Sequence, residues 1–109
     1  MSILNKGKDQ IYKVVGVSFN NDDGTSRQKL LSKVNKVSEI TLVREPNNTY
    51  DSGAVAVYAD GKQVGYLGTH YASLIAPKLD AGEKFDIQIR DCGLYVDKYI
   101  LHIKINPRD

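Results

Sequence analysis

Stretches of β-branched and aromatic residues alternate along this chain with clusters of Gly, Asn, Asp and Pro, a rhythm that predicts about six strands and two short helices. Ile11-Tyr12-Lys13-Val14-Val15-Gly16-Val17-Ser18-Phe19 reads as one strand running into the loop Asn20-Asn21-Asp22-Asp23-Gly24-Thr25. Ser26 is placed to cap a helix through Val34, in which Leu30, Leu31 and Val34 share one side. From Ser38 to Glu45, Ile40, Leu42 and Arg44 alternate with Glu39, Thr41 and Val43, an imperfect period-two pattern of a half-buried strand. Ala54-Val55-Ala56-Val57-Tyr58 and Gln63-Val64-Gly65-Tyr66-Leu67 flank Asp60-Gly61, a dipeptide suited to the positive φ angles of a tight hairpin. Between Thr69 and Leu79 the apolar positions Tyr71, Ala72, Leu74, Ile75, Ala76 and Leu79 take helical spacing; Pro77 can kink the last turn and Gly82 closes it. A final pair, Lys84 to Arg90 and Lys98 to Ile105, is expected to turn near Cys92-Gly93-Leu94.

This order predicts a mainly β (α+β) fold, a six-stranded small barrel or strongly curved sheet with two short helices. At 109 residues the chain is expected to be a single domain, residues 1–109, with its core at about 11–105. Hydrophobic residues at 41% and charged residues at 26% suit an ordered globular domain. No apolar run approaches the roughly 20 residues of a membrane-spanning helix, and Met1 to Gln10 lacks the apolar centre of a signal peptide, so no membrane association and a cytoplasmic location are expected. The lone Cys92 suits a reducing compartment. The net charge of +2 announces no polyanion, so any nucleic-acid binding must rest on a local basic and aromatic surface.

The stretch from Arg44 to Val57, REPNNTYDSGAVAV, stands out because polar residues of defined side-chain geometry are packed between two apolar strands. Two readings compete for it. It is a functional loop, or Asn47, Asn48 and Asp51 close turns on nearby amides while Tyr50 plugs the barrel edge.

Together with Val15-Gly16-Val17-Ser18-Phe19 before it and Gln63-Val64-Gly65-Tyr66-Leu67 after it, this stretch closely resembles the HIRAN domain family, over roughly Val14 to Leu79. Members of that family are modules of chromatin-remodeller-like helicases and repair ATPases, or small standalone proteins. The resemblance implies an oligonucleotide-binding-like barrel. It further implies a pocket that captures the free 3′-hydroxyl end of single-stranded DNA in a repair, replication or mobile-element setting, with a helicase or nuclease as a possible partner. It implies that Tyr50 is the aromatic on which the terminal base stacks and Asp51 the carboxylate that accepts from the terminal hydroxyl. Asn48, with Asn47 beside it, is then the candidate for hydrogen bonds to that nucleotide. Phe19 falls at or beside a family aromatic, where Ser18 and Asn20 replace a cation and a second aromatic. Tyr66 stands in place of a histidine, and Thr69 and His70 occupy the region of a lysine. An aromatic face offers sequence-tolerant stacking, and a carboxylate accepts from a hydroxyl but repels a phosphate.

Arg27, Arg44, Lys62 and Lys78 are candidates for phosphate contacts and equally at home as solvated charges; Arg44, next to the polar loop, is the best of them, unless it pairs with Glu45 or Asp51 as a brace. Enzyme readings find little to hold. Cys92, His70 and His102 form no zinc spacing, the pairs Asp22/Asp23 and Asp86/Asp91 are usual turn formers, no serine sits in a nucleophile elbow, and no GxxxxGK(S/T) loop is present. The expectation is a binding module without catalytic residues, metal or cofactor. The rival from another class is a protein-interaction or regulatory adaptor whose barrel edge docks a partner chain and whose polar loop is only structural.

Overall fold

A computed structural model describes residues 10–108. Its elements run β1 (Ile11–Val15), α1 (Arg27–Leu31), β2 (Ile40–Glu45), β3 (Ala54–Ala59), β4 (Lys62–Leu67), α2 (Thr69–Asp80), β5 (Phe85–Tyr95) and β6 (Lys98–Pro107). The strands form one antiparallel sheet in the order β2-β3-β4-β1-β6-β5. The mainly β class with two helices is as expected. The sheet curls like a barrel but stays open: β2 and β5 are its two edges, and a cleft of about 720 Å³ lined by both separates them, with Leu79 and Gly82 from the end of α2 at its side.

Local chemistry explains most of the elements. Asp60 and Gly61 take φ of 50° and 83°, two positive angles in a row as a two-residue hairpin between β3 and β4 requires. The Ser26 side chain accepts from the Lys29 amide and caps α1, which ends at Leu31. Pro77 sits inside α2 without ending it. The helix stops instead at Gly82 (φ 86°), where the Gly82 amide bonds to the Leu79 carbonyl and the Glu83 amide to that of Lys78, the paired bonds of a Schellman cap.

The core lies on the concave side, where Val14, Val55, Val57, Val64, Leu101 and Ile103 are nearly sealed from water and Ala72, Ile75 and Ala76 of α2 lie over them. Gly65 marks the tightest crossing: a Cβ there would stand 2.5 Å from the Val15 carbonyl oxygen. Only glycine lets β4 approach β1 so closely.

Three expectations need correction, the shortest being that α1 stops at Leu31 instead of running through Val34. The first strand ends at Val15 rather than Phe19, because Gly16 turns to φ 71° and the Phe19 amide folds back onto its carbonyl, leaving Val17 buried and Ser18 and Phe19 exposed. The last hairpin turns at Val96-Asp97 and not near Cys92-Gly93-Leu94. A bulge at Arg90 shifts the register between Ile89 and Asp91, so β5 continues through Gly93 to Tyr95 before Val96 (φ 61°) reverses the chain. Cys92 packs at the core margin, its thiol 3.5 Å from the Val34 carbonyl oxygen.

Candidate nucleic-acid interface

The loop between β2 and β3 is organised by one side chain. Asn48 Oδ1 accepts from the backbone amides of both Tyr50 (2.9 Å) and Asp51 (3.0 Å), and its Nδ2 donates to Glu45 Oε1 at 2.9 Å. Asp51 Oδ1 accepts from the Gly53 amide at 2.8 Å and closes a second small turn. These bonds lift Tyr50 clear of the protein: it is 97% exposed. The alternative that Tyr50 plugs the barrel edge is therefore overturned, while the turn-closing part of that reading describes Asn48 and one oxygen of Asp51. Asp51 Oδ2 takes no protein donor among the described residues.

Beside the loop runs an open groove of about 1040 Å³, lined by Asn47, Asn48, Tyr50, Arg44, Tyr66 and Arg27 among others. The Tyr66 hydroxyl donates to Glu45 Oε1 at 2.8 Å and its ring lies under the Arg27 guanidinium, 5.4 Å from the centroid. Burial, and then the bond to Glu45, raise the Tyr66 hydroxyl above the ordinary tyrosine value against the opposing influence of Gln63 and Arg27.

The other candidates are placed unequally. Phe19 (69% exposed) comes close to Tyr66 and Arg27 at Gly16, where an added Cβ would lie 3.9 Å from Phe19, 3.8 Å from Tyr66 and 3.4 Å from Arg27. Ser18 is exposed beside it, and Phe19, Ser18 and the half-buried Asp51 all lie outside the groove lining. His70 lies in the first turn of α2, its ring 5.3 Å from that of Tyr71, which in turn packs edge-on against Tyr12; it too is outside the groove.

Arg44 lines the groove but its guanidinium is engaged. It grips both carboxylate oxygens of Asp80 (2.9 and 3.2 Å) and donates to the carbonyls of Ser52 (2.9 Å) and Ala54 (3.0 Å). It is the brace that sequence reasoning considered, with Asp80 in the place of Glu45 or Asp51. Arg27 is the larger surprise. Instead of a solvated charge it is 7% exposed, with Nε donating to Asn21 Oδ1 (2.7 Å) and Nη1 to the Gly16 carbonyl (2.9 Å). Its place at the first position of a helix with a buried face was the only available signal, and a weak one.

Among the described residues no group of three His, Cys, Asp or Glu is placed to hold a metal ion, and no helix is long and apolar enough to cross a membrane.

The HIRAN domain family model matches residues 9–92. In three dimensions the chain is similar to the HIRAN domain of human HLTF, with a TM-score of 0.66 and 24% identity over 92% of this chain and 76% of that one. It is also similar to a protein from Lactobacillus plantarum, with a TM-score of 0.62 and 18% identity over 88% of this chain and 91% of that one. These likenesses establish the fold. No curated protein sequence matches the chain.

Proposed function

Because the chain belongs to the HIRAN domain family, which points to a nucleic-acid-binding module, we propose that the Asn48–Asp51 loop and its groove hold the 3′-hydroxyl end of a single-stranded DNA. The single observation that carries this reading is the state of Tyr50 and Asp51: a fully presented ring held by backbone bonds to Asn48, next to a carboxylate with one oxygen fixed by Gly53 and the other open. The ring stacks the terminal base without choosing a sequence. The open oxygen accepts from the terminal hydroxyl and repels a phosphate in its place. Tyr66, and Phe19 beyond it, extend the aromatic surface away from the end. On this reading the domain binds the strand without turnover.

A linear oligonucleotide and its covalently closed circle, titrated by fluorescence anisotropy, test the proposal. The linear strand binds more tightly if an end is held; equal affinities remove the end from the account.

One observation favours the adaptor reading: β2 and β5 face each other across an open seam with apolar Ile40, Leu42, Leu79, Phe85 and Ile87 along it. Such edges can accept an added strand. Capture of a defined protein partner, with oligonucleotide binding undetectable at low salt, would put that reading first.

A further inference from the structure

We infer that Arg27, which lines the groove over the Tyr66 ring, is the contact for one internucleotide phosphate of the bound strand. The inference rests on the end-binding reading and adds the residue that takes the backbone charge. Arg44, Arg90 and Arg108 each lie within 4.0 Å of an Asp carboxylate; Arg27, more buried than any of them, has no carboxylate at that distance among the described residues. A guanidinium stays charged at every physiological pH, so this is a desolvated positive charge offset only by neutral oxygens and the Tyr66 ring. Nε and one hydrogen of Nη1 are spent on Asn21 and Gly16, whereas Nη2 has no protein acceptor among the described residues. Two donors in a fixed plane, on a residue that lines an open groove, match the paired oxygens of a phosphate.

Tyr66 links the loop to the cation: Asn48 Nδ2 lies 3.5 Å from Tyr66 Oη, and the Arg27 guanidinium lies over the Tyr66 ring, 5.4 Å from its centroid. The remaining charges limit the number of phosphates. Glu45 is tied to Tyr66 and Asn48, Arg44 is spent on Asp80, and Asp22, Asp23 and Lys62 also line the groove. A run of phosphates would meet as much negative as positive charge; a single diester at Arg27 would not.

The test leaves the protein unaltered. A single-stranded oligonucleotide with a free 3′-hydroxyl carries one neutral methylphosphonate, moved stepwise from the last linkage inward. One of the last two or three positions should weaken binding about tenfold, the size of one charge-assisted hydrogen-bonded contact, and lower the slope of log K against log salt by about 0.7. Arg27→Lys, checked for folding by thermal melting, should weaken the unmodified strand and erase that positional effect. A flat scan with end preference intact overturns the role of Arg27 alone; failure of every strand to bind overturns the end-binding reading with it. Displacement of the strand by inorganic phosphate combined with a flat scan would mean that the site holds a free anion, and also overturns the assignment.

Discussion

Replacing Asn48 by Ala removes the one side chain that ties the loop together. Three of its bonds are short: the amides of Tyr50 and Asp51 at 2.9 and 3.0 Å and Glu45 Oε1 at 2.9 Å. At about 1 kcal/mol net each the ceiling is about 3 kcal/mol, but the Tyr50 amide is exposed and recovers water, so a loss of about 1 to 2 kcal/mol in stability is expected. Urea denaturation with an unchanged m-value measures it. Binding should suffer more than stability suggests, because Tyr50 and Asp51 must then be ordered on contact. At about 0.5 to 1.5 kcal/mol for each of the two side chains immobilised, affinity for a single-stranded 3′ end falls about 5- to 150-fold. Asn48→Asp is the informative partner. It keeps the acceptor for both amides but points a carboxylate at Glu45, so its defect should ease as the pH is lowered and one of the pair is protonated. Wild-type denaturation together with wild-type affinity in Asn48→Ala would show that this amide does not build the site.

Tyr50→Ala should leave the melting temperature nearly unchanged, since the ring is 97% exposed, yet cost about 1 to 3 kcal/mol in oligonucleotide binding by anisotropy. Gly65→Ala drives a methyl to 2.5 Å from the Val15 carbonyl oxygen and 2.6 Å from Val14 Cγ1; a loss of at least about 1 to 3 kcal/mol should appear in calorimetry as a fall of about 4 to 8 °C per kcal/mol. The raised Tyr66 value has a defined sign. Stability from its un-ionised hydroxyl is fully present below the unfolded value of about 10 and is lost as pH rises through the higher folded value, so Tyr66→Phe should reduce the alkaline fall in stability and remove one late-titrating phenol from the ultraviolet titration.

The parts of this fold that could be read ahead of the structure are those determined by neighbours in sequence. Asp60-Gly61 makes its turn from its own φ preferences, Ser26 caps its helix through a residue three positions on, and Gly82 ends α2 by accepting a positive φ. The misreadings come from longer range. Gly93 resembles a turn residue locally, but pairing with β6 through the Arg90 bulge holds it in the strand and moves the turn to Val96, a residue whose propensity argues against a positive φ. Whether the curled sheet closes depends on the distance between β2 and β5, which no local pattern encodes.

The site divides in the same way. The Asn-Asn-Thr-Tyr-Asp loop was legible because its bonds span two or three residues. The partner of Arg44 lies 36 residues away in Asp80, and Arg27 is buried by contacts with Gly16, Asn21 and Tyr66 that only the folded sheet assembles.

The most direct measurement is the affinity of one oligonucleotide prepared with a 3′-hydroxyl and with a 3′-phosphate, titrated side by side at a fixed low salt concentration. The hydroxyl-ended strand should bind at least about tenfold more tightly, because the open oxygen of Asp51 accepts from one end and repels the other. Equal affinity for the two ends would mean that Asp51 does not read the terminus.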